Sequence, residues 1–220
     1  MSIKTPDQKA AILLGRIALA LLLFTVIAFG AKALMHTEVQ ARYTPLVMFH
    51  GVTMLVWLAL LSGQAYLAAN ARYAVHRATG LASIALVGAM AVSGGILAVN
   101  IGEELGRPEV TVVNIAAFVT FIPLYLAAVQ FARQRNIHAH RQAMLIGTLA
   151  LMTPAYARVV QVLALPDPVA IGVQVPITIA LAVGYDWLIK GRITREVLAM
   201  LAFSVAVIAV MVVVLAIWFL

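Results

Sequence analysis

The chain contains no cysteine. Disulfides, thiolate metal sites, iron–sulfur clusters and cysteine nucleophiles are therefore excluded. Charge is also scarce: Asp, Glu, Lys and Arg make up 10% of the 220 residues, and only 8 residues are acidic. A soluble domain carries about 25% charged residues. Disorder needs low hydrophobicity and high charge, whereas here 64% of residues are apolar and the mean hydropathy is +1.04. Water-soluble globule and disordered chain are both ruled out. No low-complexity tract or polar linker leaves room for a soluble domain. The four lysines fall in tails or loops, so none is placed to form a retinal Schiff base. No Gly-x-x-x-x-Gly-Lys-Ser/Thr loop is present to cradle a nucleotide.

What remains is long apolar runs. A spanning helix needs about 20 mostly apolar residues, and seven segments meet that length, at approximately 11–31, 45–68, 78–99, 110–132, 142–165, 168–189 and 196–219. The first apolar run exceeds the roughly 7–15 residues of a signal peptide core, so it reads as a retained helix. With the N-terminus in the cytoplasm, eleven Lys and Arg residues fall on that side (Lys4 and Lys9 through Arg195). Three fall on the other side (Lys32, Arg42 and Arg107), and the fifteenth, Arg158, lies within a span. That bias is the positive-inside pattern, and it accounts for the net charge of +7 without invoking nucleic acid. The expectation is an all-α, polytopic bundle of seven transmembrane helices in a single domain, 1–220. Its N-terminus is cytoplasmic and its C-terminus outside, anchored by Ile217-Trp218-Phe219-Leu220. Its surroundings are the lipid bilayer of a cytoplasmic (inner) membrane, with other membrane subunits as candidate partners. Pro123, Pro154 and Pro176 are expected to interrupt their helices.

Two cytoplasmic connections look alike. Arg72-Tyr73-Ala74-Val75-His76-Arg77 and Arg135-Asn136-Ile137-His138-Ala139-His140-Arg141 each place a His-Arg pair at a helix start. Each follows a helix with a glutamine near its end, Gln64 or Gln130. Helices two–three and four–five therefore read as a parallel repeat.

With His50, then His76-Arg77-x-x-Gly80, then His140-Arg141-x-x-Met144-Leu145, the chain resembles a broad group of functionally uncharacterised bacterial multi-spanning membrane proteins over roughly residues 45–160. It is loosely similar to di-haem cytochromes of the b561 type, which use histidines on a helical bundle. Those cytochromes pair histidines on four central helices inside the membrane, whereas here only His50 sits clearly within a span. The resemblance implies b-type haem as a cofactor, with His76, His140 and His50 as its candidate ligands.

Polar residues inside lipid are costly and face the bundle interior or a cavity. An outer layer holds His50, Thr53, Asn114, Tyr156, Arg158, Gln161 and Gln174. An inner layer holds Gln64, His76, Gln130, His138, His140, Tyr185 and Asp186. Arg158 lies seventeen residues beyond Arg141, about 25 Å along a helix. It either snorkels to outer headgroups or, with Asn114, Tyr156 and Gln161, binds an anionic or carbonyl ligand such as a quinone. His76 and His140, at a helix start, either ligate haem or meet lipid phosphates. A third option is zinc held by His138, His140, His76 and Asp186, an N/O set that zinc accepts. The functional expectations are a haem-binding, quinone-linked redox protein, a non-catalytic membrane subunit or scaffold, or a zinc-dependent hydrolase or small-ligand transporter.

Overall fold

The computed structural model describes residues 5–219, and every regular element among them is helical. Lys4 and Leu220 lie outside the described residues, as does the side chain of Phe219. The chain runs α1 (Pro6–Met35), a 3-10 turn (Thr37–Arg42), α2 (Pro45–Ala69), α3 (Tyr73–Glu104), α4 (Pro108–Arg133), α5 (Ile137–Ala150), α6 (Thr153–Val162), α7 (Pro168–Lys190) and α8 (Arg195–Phe219). Seven helical stretches are long and apolar enough to cross a membrane, with α5 and α6 together forming the fifth. Several helices extend past the apolar runs that reveal them, so Lys9, Lys32 and Lys190 sit in terminal helical turns rather than in loops. Terminal turns reach the interface, where polar residues continue a helix that hydropathy no longer marks.

Proline sets many of the starts. α1, α2, α4, α6 and α7 each carry Pro in the first turn, where its fixed φ suits the helix and its missing N–H is not needed. Thr5 caps α1 in a reciprocal box: Gln8 N–H donates to the Thr5 hydroxyl, and Thr5 N–H donates to Gln8 Oε1. Of the three interior prolines expected to interrupt helices, only Pro154 does so. α4 and α7 run unbroken through Pro123 and Pro176. At Pro154 the fifth span divides, because the ring removes the N–H that Ala150 would receive.

The chain divides into two compact units, Met1–Ser93 and Gly94–Leu220. In the first, α1 packs on α2 through small residues. Ala10, Ala11, Leu14 and Ala18 of α1 and Trp57, Leu61 and Ala65 of α2 are all buried. A Cβ on Gly15 would come within 3.2 Å of Ala65 Cβ, and Ser62 Oγ donates to Gly15 O at 3.2 Å. Such close approach lets van der Waals contact hold helices where water provides no drive. In the second unit, α5 is central, with nine of its fourteen residues buried. A core of Leu124, Ala128, Ala143, Ile146, Ala182, Val197, Met200 and Leu201 joins α4, α5, α7 and α8.

The repeat is visible in the backbone at a fixed offset. Ala71 and Arg135, 64 residues apart, both take left-handed φ (56° and 61°). The next residue's N–H closes the same wide turn: Arg72 to Leu67 O and Asn136 to Phe131 O, both 2.9 Å. This is the Schellman way of ending a helix. The turns at Gly106 (Arg107 N–H to Gly102 O) and Ala164 (Leu165 N–H to Val160 O) repeat it, so four of the connections between spans share this turn. An offset of 64 sets Gln64 against Ala128, and Gln130 against Tyr66. The two glutamines are therefore not equivalents. Hydropathy cannot fix a register to two residues, whereas the hairpin hydrogen bonds do.

Candidate functional site

Three polar ties run along one seam between α5 and α7. His138 Nε2 lies 2.5 Å from Asp186 Oδ1. Gln142 Nε2 donates to Ala182 O at 3.1 Å, and Gln174 Nε2 donates to Leu149 O at 2.9 Å. The positions ascend on α5 (138, 142, 149) as they descend on α7 (186, 182, 174), which is what antiparallel helices require. The last tie serves the broken span: Leu149 lies at the end of α5, where Pro154 has interrupted the backbone ladder.

The first tie is the centre of the site. The Asp186 side chain is 0% exposed and that of His138 is 11% exposed. The other carboxylate oxygen, Oδ2, accepts from Thr194 N–H (2.5 Å) and from the Thr194 hydroxyl (3.0 Å). Thr194 can reach because α7 ends at Gly191, whose φ of 65° turns the chain back. Both Thr194 groups facing Oδ2 are hydrogen donors, the environment of a carboxylate. Asp186 fixes His138 with Nε2–H toward it, so in the neutral ring Nδ1 bears the lone pair. The imidazole stacks on Tyr185, centroids 6.2 Å apart and planes at 19°. Nδ1 of His138 and Oε1 of Gln142 are buried without a hydrogen-bond partner. Among the described residues, Gln64 Oε1 is the third buried side-chain atom in that condition.

The remaining candidates do not gather here. His140, two residues along α5, turns its Nδ1 to Ala128 O at 2.9 Å. In the first unit, His76 Nδ1 meets Gln64 O at 3.2 Å. Of the four residues expected to hold zinc, the structure therefore brings together only His138 and Asp186. Among the described residues, no three His, Cys, Asp or Glu converge. His50 Nδ1 is 2.9 Å from Ser93 Oγ, whose own hydrogen goes to Ala89 O at 2.6 Å. His50 must then be the donor. Fourteen residues separate His50 from Gln64, about 21 Å of helix. His50 and His76 cannot hold the same ligand atom.

The outer layer is locally satisfied. Arg158 donates from Nη1 to Gln161 Oε1 at 3.0 Å, both on α6. Asn114 Nδ2 donates to Val110 O on its own helix at 2.7 Å, and Tyr156 is 9% exposed. Arg158 and Gln161, grouped together by the sequence, are thus in contact one turn apart. The two arginines of the His-Arg pairs differ: Arg141 is only 9% exposed, whereas Arg77 is exposed. A cleft of about 60 Å³ beside the α5–α6 break is lined by Thr120, Thr153, Gln174, Thr178 and Ser204 among apolar residues. That is room for a few waters and well below the usual 300 Å³ or more of a ligand pocket. At the opposite end of the unit, Arg107 bridges Glu109 (2.6 Å) and Asp167 (2.8 Å). Those hydrogen bonds, Asp167's first, hold its guanidinium pKa above the ordinary value.

Sequence reasoning found Asp186 and His138 but missed Thr194 and Gln142. The signal for Thr194 was present: a glycine stop at Gly191 followed by a Thr just before the charged start of α8. Gln142 gives no signal beyond its place four residues after His138.

Comparison with protein-family models, with curated proteins and with solved structures finds no match to this chain.

Proposed function

We propose that this is a multi-pass protein of the bacterial cytoplasmic membrane that accepts and passes on protons at one end of its helical bundle, where α5 begins and α7 ends. His138 is the relay group and Asp186 its fixed partner. The observation that supports the reading is a fully buried carboxylate bonded to an imidazole whose second nitrogen has no partner. Ionisable groups that face the interior of a membrane protein's bundle mark ion or proton pathways. Asp186, held by the two Thr194 donors, keeps Nε2–H in place and leaves Nδ1 as the nitrogen that exchanges a proton. Imidazole is the side chain whose charge changes near neutral pH. Proton relay of this kind serves quinone-linked redox chemistry or coupled transport of a small ligand. The test is ¹⁵N NMR of histidine-labelled protein in bilayers across pH 5–9. One imidazole should gain a proton at Nδ1 while keeping Nε2–H, and that response should be lost in His138→Gln. A His138 ring that is unchanged over the range overturns the reading.

The haem reading has one supporting observation. His50 gives Nδ1–H to Ser93 Oγ, which leaves the lone pair of the neutral ring on Nε2, as in metal-ligating histidines. A haem would supply one-electron transfer. The subunit reading is supported by Thr111, fifth after its left-handed turn residue as His76 and His140 are after theirs. Its hydroxyl makes a comparable tie, to Ala98 O at 2.8 Å, so the ties also serve simply to close hairpins. A dithionite-reduced minus oxidised spectrum separates these readings: Soret and alpha bands lost in His76→Ala or His140→Ala support haem, and a flat spectrum of protein from haem-sufficient cells refutes it.

A further inference from the structure

His138 Nδ1 and Gln142 Oε1 belong to residues one helical turn apart on α5, both reaching α7. Neither assignment can be exchanged. Gln142 Nε2 donates to Ala182 O, and an amide oxygen in its place would face another oxygen. The His138 ring is fixed through Nε2 by Asp186. Both orphan atoms are therefore acceptors, and burying two acceptors without a donor is unfavourable. The two side chains bridge the same helices on successive turns, at Asp186 and Ala182, so they run side by side. Residues four apart on a helix are side-chain neighbours, with Cβ atoms about 5–6 Å apart, so one small donor between their tips can meet both acceptors.

We propose that His138 and Gln142 together bind one small molecule that donates two hydrogen bonds, one to Nδ1 and one to Oε1. The ligand class follows from the two acceptors: a water or an ammonium ion fits, whereas an anion or a carbonyl brings further acceptors and does not. The Asp186 carboxylate beside the imidazole makes the site hospitable to a cation as well as to a neutral donor. The inference deepens the relay reading and rests on it for its purpose, since the bound donor is the immediate neighbour of the relay nitrogen.

The experiment uses the full chain in lipid nanodiscs. In potassium buffer, the ¹⁵N resonance of His138 Nδ1 in the wild type should lie at the position of a hydrogen-bonded acceptor. An infrared difference spectrum between H₂¹⁶O and H₂¹⁸O should show a sharp O–H band that Gln142→Leu removes. Replacing potassium chloride with ammonium chloride distinguishes the occupants. If ammonium binds, the isotope-sensitive band is lost and the wild type, but not Gln142→Leu, gains thermal stability. If water is the occupant, neither changes. A bare, unbonded Nδ1 resonance in both salts overturns the proposal, and that measurement needs no variant. The relay reading fails separately, by a His138 ring that does not respond to pH.

Discussion

Replacing Asp186 with alanine removes the acceptor for three donors at once: His138 Nε2–H, Thr194 N–H and the Thr194 hydroxyl. Interhelical hydrogen bonds in membranes average about 0.6 kcal/mol each, so three set a floor of about 2 kcal/mol. Breaking a buried charged pair by removing one partner costs about 3–5 kcal/mol. The expected loss for Asp186→Ala is therefore about 2–5 kcal/mol. Thr194→Ala should cost only about 0.6–1.5 kcal/mol, because the backbone N–H bond survives. Asp186→Asn should recover little despite its shape, since its NH₂ turns a donor toward donors. Reversible unfolding in mixed micelles, or steric trapping in bicelles, reads all three. Asp186→Ala within about 0.5 kcal/mol of wild type, the range of an unremarkable surface change, would refute the claim that this carboxylate is the node of α5, α7 and the turn into α8.

Three further outcomes are expected from the same unfolding measurements. Ala71 and Ala164 hold left-handed φ of 56° and 54°, which costs a residue with a Cβ about 1–2 kcal/mol. Ala71→Gly and Ala164→Gly should each stabilise by roughly 0.5–1 kcal/mol after the greater entropy of unfolded glycine, and Gly191→Ala should destabilise. A Cβ at Gly102 would overlap the Thr111 hydroxyl, so Gly102→Ala should cost about 1–3 kcal/mol by overpacking. Adding Thr111→Ala should recover part of that loss, a non-additivity expected of neighbours. Arg107→Ala, at an ion bridge whose side chains are 34–43% exposed, should cost at most about 1 kcal/mol and less in high salt.

Where lipid itself dictates the pattern, the sequence was readable. Uninterrupted apolar runs require spans, and all seven are there. The hairpins at Ala71 and Arg135 were legible as a repeat from their His-Arg pairs, but their register was not, because a left-handed alanine or arginine has no compositional mark. Prolines were over-read: in lipid, neighbouring groups re-satisfy the freed carbonyls, so α4 and α7 continue through Pro123 and Pro176 while only Pro154 breaks its span. In the site, Asp186 stood out as a lone carboxylate in an apolar run. Its choice of His138 over His140 or His76 depends on which side of α5 meets α7, which no local pattern states. Gln142 was invisible for the same reason, since a buried amide matters only through what lies across the seam.

The central claim is that the His138–Asp186 pair exchanges protons inside the bundle. The most direct measurement is a pH-difference infrared spectrum of the protein in lipid, wild type against His138→Gln and Asp186→Asn. The account predicts that imidazole and carboxylate bands change together as pH moves through the neutral range, and that either substitution abolishes the joint change. Wild-type bands that stay fixed from pH 5 to pH 9, or a change that persists unaltered in both variants, would contradict it.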